Sequence, residues 1–472
     1  MKITRTLCLF GLLAATLAGN ASVEISNRAG TVIEVDILQI ESTRTQIKLS
    51  DGQVIWLDRS QLSDASDAML QARVEQAQAE KAEQAQEAFN ELNTLLGIPL
   101  FADRSLWDDD AAAVAERLGW PLESMTESQS SYRVYPRSSD EILQSRPYSA
   151  VLFAASGKPD ALSLVFANKG DFPFSASPTR DEIRAMEAAI DADGERIARL
   201  LSEQLGEPTR QQFGRGRGIR QSVQRWDWES HAILLATQRS EYVTLRILPI
   251  DVADDGGRGE RLSDAALRNR NQANIETKEN GDVLIRNIPM VNQGPKGYCV
   301  PATFERYLRY MNIPADMYVL AMAGQTQIGG GTSLEDIISA IEGYASSQNR
   351  SLRRLRTDIR MRTISRHIDN GLPLIWTMFS SRDYNEFVNQ RTIDRRNNSD
   401  WNAWADRTRQ ETRQISLRKD MMSAHACMII GYNATTGEIA VSDSWGPSFE
   451  LRWVPVEHAD QVSQGSIYLI DY

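Results

Sequence analysis

The hydrophobic pattern changes period several times along the chain. Between residues 23 and 70, Val32, Val35 and Ile37 fall in one short apolar run, Ile47 and Leu49 alternate in a second, and Ile55 and Leu57 in a third. These runs predict strands, with Asp51-Gly52 as a type I′ hairpin turn between the last two. A short helix over 62–70 is expected to close this module, taken as residues 22–70. Residues 71–95 lose the alternation and are rich in Ala, Gln and Glu, which predicts a solvated helix joining two domains. An α+β pattern follows over 96–250. Strands are expected over 148–153 and 161–167, joined by a turn at 156–160, and again over 221–235 and 242–249. Between them, 179–205 reads as a long helix with acidic residues in its first turn and Gly206 and Pro208 at its end. Residues 251–280 are polar and rich in Gly and Asp, and read as a linker. From Gly281 to the last residue, over 281–472, helices and strands alternate.

The first twenty-one residues stand apart. Lys2 and Arg5 precede an apolar stretch over 7–18, and Gly19-Asn20-Ala21 offers small residues for cleavage. Residues 1–21 therefore read as a secretory signal peptide. Cys8 lies inside the apolar stretch with no small-residue motif placing it at the cleavage point, so lipidation is not expected. No later apolar run reaches the roughly 18 residues of a spanning helix. The expectation is an exported chain, periplasmic or extracellular, with no integral membrane segment after cleavage. The formal net charge of -11 argues against nucleic acid as a partner, because phosphate binding needs clustered Lys and Arg.

Cysteine usage sharpens the picture. Without the leader only Cys299 and Cys427 remain, too few for a Cys-rich zinc site. No metal and no organic cofactor is implied. Cys299 follows a loop containing Gly and Pro, and Pro301 suits the first turn of a helix. Phe304, Leu308 and Met311 then recur at helical spacing and predict one buried face. A thiol at a helix N-terminus has its thiolate favoured by the macrodipole and the free N–H groups. His425 opens an apolar strand 126 residues later, and imidazole is suited to take a thiol proton and return it to a leaving amine. Asp443 follows a further strand, where its carboxylate would orient the ring and stabilise its charged form.

Gln293, Cys299, His425 and Asp443, in the contexts Tyr-Cys-x-Pro-Ala, His-Ala and Asp-Ser-Trp-Gly, resemble the C39-like branch of the papain-like cysteine peptidases. The resemblance covers 281–472. It implies a papain-like α+β fold, a peptide or protein substrate and a Cys299–His425–Asp443 triad. It also implies a Gln293 amide that shares the oxyanion hole with the Cys299 N–H. The Cys-to-His interval is close to the roughly 130–150 residues of papain-type chains. The Gly-Thr turn before Leu334 also fits, with Thr332 and Glu335, or Ser333 and Asp336, as the helix cap. So does a helix ended by Asn370-Gly371 before a strand over 373–378. C39 peptidases proper trim leader peptides within an exporter; this sequence shows no exporter membrane domain, so that role is not implied. Residues 23–70 resemble the SLA1 homology domain 1 (SHD1), which implies an SH3-like β-barrel. The peptide binding of that family's eukaryotic members is not carried over, because no binding residue is matched. The expected fold is thus α+β multidomain: a small barrel, a middle α+β domain and a C-terminal peptidase domain.

Other residues carry less. Residues 381–419 read as a charged helical insertion, either a surface elaboration or a lid. Cys427 lies two residues after His425 on the same strand face and reads as a core thiol, with a regulatory disulfide to Cys299 as the alternative. Trp226 and Trp228 read as core packing. His231 reads as a structural or surface residue, His367 as exposed and His458 as a loop residue. Two rival functions stay open. A transglutaminase-like acyl transferase would use the same Cys, His and Asp with amine in place of water. A non-catalytic binding protein would carry a degenerate peptidase fold.

Overall fold

The computed structural model describes residues 15–16, 22–137, 139–175, 178–216, 218–258, 262–328, 331–355 and 358–472. The leader expected over 1–21 lies outside them, apart from Ala15–Thr16, whose backbone pairs with Gln39 and Ile40. The chain is a mixed α/β multidomain protein that separates into two units. One is Met1–Leu92 with Ala102–Arg104; the other is Asn93–Phe101 with Ser105–Tyr472. No helix of the described residues is long and apolar enough to cross a membrane.

In the first unit, Val23–Ser26, Val32–Ile40, Arg44–Leu49 and Val54–Asp58 form an antiparallel sheet. It closes over Ile25, Val35, Ile37, Ile40 and Ile47. The turn at Asp51-Gly52 differs from the type I′ expected. Leu49 donates to the Gln53 carbonyl and accepts from Gly52 N–H, and only Gly52 takes a positive φ, +87°. That is a three-residue loop with glycine in its left-handed position. The type I′ signature falls instead in the middle domain, where Ser156 and Gly157 both take positive φ between the paired Ala155 and Lys158. The helices expected over 62–70 and 71–95 are one continuous helix, Asp64–Leu96. No Gly or Pro interrupts it until Gly97, which takes φ +77°.

The middle domain is an eight-stranded antiparallel sheet in the spatial order 209–213, 221–228, 231–238, 242–249, 158–168, 149–155, 129–134, 122–125. Helix Arg180–Leu205 packs on it, started by a capping box between Thr179 and Glu182. The single strand expected over 221–235 is a hairpin, Gln221–Trp228 and His231–Gln238, turning at Glu229 with φ +49°. Trp226 is buried as expected, with its indole N–H on the Gly206 carbonyl. His231 is fully buried and accepts from the Leu106 N–H.

The stretch 251–280, expected as a linker, carries helices and a strand among its described residues. Asp264–Ala273 is a helix capped by Ser263, and Ile275–Thr277 is an edge strand of the C-terminal sheet. Its composition misleads because Leu267 alone anchors the helix as an apolar core residue, helped by buried Asn271. The C-terminal sheet is antiparallel throughout. Ala424–Asn433 lies at its centre, flanked by Leu374–Phe379, Asp282–Ile285 and Glu438–Ser442. Cys299–Tyr310 packs against this central strand. That helix is buried on all sides, not on one face: Glu305 and Arg306 are as inaccessible as Phe304. The second face is covered by the middle domain, with Val165 and Tyr242 in one apolar cluster with Val291, Tyr298 and Tyr318.

Candidate active site

Cys299 is the first residue of its helix, where backbone N–H groups lack intrahelical partners. Buried Thr303, one turn on, donates to the Ala426 carbonyl and docks the helix on the His425 strand. Arg306 donates to the Pro289 carbonyl (2.8 Å) and to Ser442 Oγ (2.6 Å). It thereby ties the helix to the loop before Cys299 and to the residue before Asp443. Three distant segments are held in register by these bonds.

The half-buried Cys299 thiol is electrostatically coupled to the His425 ring and to the backbone N–H groups of Ala426 and Val300. His425 Nε2 lies 2.9 Å from Asp443 Oδ1. With Nε2 so engaged, Nδ1 is the nitrogen left for the sulfur. Burial pushes the Cys299 thiol up, but the His425 hydrogen bond and charge outweigh it and hold the thiol below its ordinary value. Burial pulls His425 down, but Asp443 and the Cys299 sulfur raise it to about 9. The pair therefore favours thiolate and imidazolium together. Trp445 stacks on the His425 ring at 4.6 Å between centroids and covers its face.

Asp443 is fully buried, and its second oxygen is matched. Arg452 Nε and Nη2 reach Oδ2 at 2.8 and 2.5 Å. Burial raises the Asp443 carboxyl, but Arg452 and His425 hold it below the ordinary carboxylate range. Arg452 is itself braced by Asn385 Oδ1 (2.9 Å) and Asn389 Oδ1 (3.2 Å), both on helix Arg382–Arg396. Residues 381–419 are thus two helices, of which the first packs behind the carboxylate as a buttress. Sequence reasoning missed Arg452. Its signal was a lone arginine in the apolar run Leu451-Arg452-Trp453-Val454, since a buried charge is almost always paired.

Gln293 is buried, and its backbone N–H donates to the carbonyl of Ser444, next to Asp443. Its side-chain Nε2 donates to the Lys296 carbonyl at 3.1 Å, which fixes which end of the amide is nitrogen. One Nε2 hydrogen is left for another acceptor, and Oε1 has no hydrogen-bond partner among the described residues. Cys427 is a buried free thiol in the C-terminal core, and burial pushes its pKa up. His367 is half-buried rather than exposed. His458 is buried in helix Val456–Val462 rather than in a loop, with Nε2 on the Ile415 carbonyl and its ring against Phe387. Among the described residues no three His, Cys, Asp or Glu side chains gather as a metal site requires. A cavity of about 580 Å³ lies where the middle domain meets the C-terminal domain, and its walls include none of Gln293, Cys299, His425 and Asp443. The chemistry, not that hollow, locates the candidate site.

This arrangement has the parts of thiol-based acyl chemistry: an ionisable sulfur at a helix start, a ring bonded to a carboxylate and coupled to that sulfur, and a spare amide hydrogen on the loop that leads to it. Residues 285–463 match the family described as Peptidase_C39 like family, so a C39-like domain occupies the C-terminal part of the chain. The match spans less than half of the chain. No curated protein matches it.

Proposed function

We propose that this protein is an exported cysteine peptidase that hydrolyses peptide bonds in peptide or protein substrates. Cys299 attacks the scissile carbonyl carbon, and its sulfur forms the new bond. The oxyanion is held by the Cys299 N–H and the free hydrogen of Gln293 Nε2. His425 gives its proton to the leaving amine, and water then cleaves the thioester with His425 as base. Asp443, gripped by Arg452, keeps the ring in place. The observation that carries this reading is the 2.9 Å bond from His425 Nε2 to Asp443 Oδ1, with the Cys299 thiol electrostatically coupled to the same ring. Export rests on residues 1–21, and the SHD1-like reading of residues 22–70 on their sequence alone; both belong to the proposal.

The pH dependence tests it. Cys299 is held below the ordinary thiol value, so thiolate persists as pH falls below neutrality. His425 is raised to about 9, so imidazolium persists until pH rises through that value. Alkylation of Cys299 by iodoacetamide at pH 6 is expected to run at least about tenfold faster than that of a free cysteine, whose pKa is roughly 8.5. Casein hydrolysis should follow a bell, failing on the acid side as the thiolate is protonated and near pH 9 as the imidazolium is lost. A thiol that alkylates only above pH 8 would remove the enzyme reading and favour a binding protein. Added amine that diverts the thioester into amide product faster than water hydrolyses it would favour acyl transfer.

A further inference from the structure

The loop that precedes Cys299 is held mainly by the middle domain. Asn292 donates its N–H to Glu123 Oε1 at 2.7 Å, and its carbonyl accepts from Tyr135 Oη at 2.6 Å. Two residues earlier, Met290 N–H donates to Ser124 Oγ. The Asn292 carbonyl and the Gln293 N–H belong to one peptide plane. Its oxygen is fixed by Tyr135 of the middle domain, and its nitrogen by the Ser444 carbonyl beside Asp443. Next in the chain, Gly294 takes φ +71° with the Tyr135 ring so close that a Cβ would stand 2.7 Å from it. At the far end of the loop, buried Tyr298 accepts from Asn168 Nδ2 at 2.8 Å. A Cβ on Gly170 would fall 1.6 Å from the Tyr298 hydroxyl, so only glycine admits this ring. The segment from Gln293 to Cys299 is therefore strung between two anchors, both in the middle domain.

We propose that the middle domain completes the active site, with Tyr135 and Tyr298 as positioning residues. They set the peptide that carries Gln293, and so aim its amide at the developing oxyanion; this rests on the peptidase reading above. The Glu123–Arg133–Glu305 cluster between the domains makes the anchor rigid. Arg133 Nε bonds Glu123 at 2.7 Å, and Glu305, on the Cys299 helix, bonds the Met317 N–H at 2.8 Å. The buried Arg133–Glu123 bond resists displacement, because moving either partner leaves a buried charge unpaired. The coupling of Cys299 to His425, by contrast, is made within the C-terminal domain and involves neither tyrosine hydroxyl.

That division sets the test, run on the full chain with Tyr135→Phe and Tyr298→Phe. Each change removes one hydroxyl and keeps the ring. A peptide aldehyde forms a hemithioacetal whose oxygen occupies the oxyanion position, whereas iodoacetamide alkylation reads only the thiolate. A misplacement of the Gln293 amide by a fraction of an ångström should lower both kcat and the affinity for the tightest binder of a panel of peptide aldehydes by about tenfold. KM and the alkylation rate at pH 6 should stay within about twofold. Unchanged kcat and aldehyde affinity in both variants would overturn the inference. So would a parallel fall in alkylation, which places the damage in the ion pair or in folding. Wild-type protein that neither hydrolyses casein nor is alkylated at pH 6 would instead overturn the peptidase reading itself.

Discussion

A chain carrying Cys299→Ala is expected to hydrolyse casein at least roughly 10⁴-fold more slowly than the parent, with its thermal midpoint little changed. Removing the sulfur leaves the oxyanion donors and the binding surface intact but no atom to form the thioester. His425→Ala should approach the same loss by a different route. Without the imidazolium, burial acts on the thiol with only the Ala426 and Val300 N–H groups against it, so its pKa rises and little thiolate remains at neutral pH. The leaving amine also loses its proton donor. The two variants differ in alkylation. Cys299→Ala gives none above the level of buried Cys427, whereas His425→Ala keeps a thiol whose alkylation climbs with pH towards the ordinary thiol range. Asp443 remains paired with Arg452 in both, so neither change strands a buried charge. Casein hydrolysis that survives Cys299→Ala would end the assignment.

What the sequence made legible is local chemistry. Cys299 beside Pro301, His425 at the head of an apolar strand and Asp443 before Trp445 each sit in a short context that states their surroundings. The structure brings them together. Gln293 was legible as a candidate, but its bond to the Lys296 carbonyl was not, because it depends on how the intervening loop folds back. Arg452 and its partners Asn385 and Asn389 were invisible as a group, since more than sixty residues separate them and no motif spans the gap. The grip of Glu123 and Tyr135 on Asn292 crosses a still longer interval and two domains. The elements within the polar segment 251–280 are hidden for a related reason. Its helix Asp264–Ala273 is fixed by Leu267 and Asn271, and two buried residues in ten, one of them polar, do not make an apolar periodic pattern. The Cys299 helix shows the converse. Phe304, Leu308 and Met311 predicted one buried face, and the structure also buries Glu305 and Arg309 against Arg133 and Phe153 of the middle domain and Arg306 against Pro289 and Ser442.

Arg395→Met is expected to destabilise the protein by about 3–5 kcal/mol, the cost of breaking a buried ion pair from one side. Arg395 lies on the same helix as Asn385 and Asn389. Its Nη1 and Nη2 bond Asp282 at 2.9 and 2.5 Å, and its Nε bonds Glu438 at 3.0 Å. Its guanidinium stacks on Trp453 at 3.7 Å. Glu438 keeps Arg391 and the Trp404 indole in the variant, but Asp282 keeps only amide partners, Asn433 and Asn280. A loss of that size lowers the unfolding midpoint of a domain of this size by roughly 6–20 °C. Arg382→Met, on the same helix, removes only an exposed pair with Glu386 and should leave the unfolding midpoint essentially unchanged. The pH dependence gives the sign. Burial raises the Asp282 carboxyl, but Arg395 and Asn433 outweigh it and hold it below the ordinary carboxylate range. Its contribution is therefore full above that range and is lost as pH falls through the depressed folded value. In Arg395→Met burial acts without the guanidinium, so Asp282 protonates at higher pH and relieves its own unpaired charge. The gap in stability between parent and variant should then narrow on acidification towards pH 4, as denaturant unfolding at a series of pH values would record. A gap that is constant with pH would assign the loss to packing against Trp453 instead of to the ion pair.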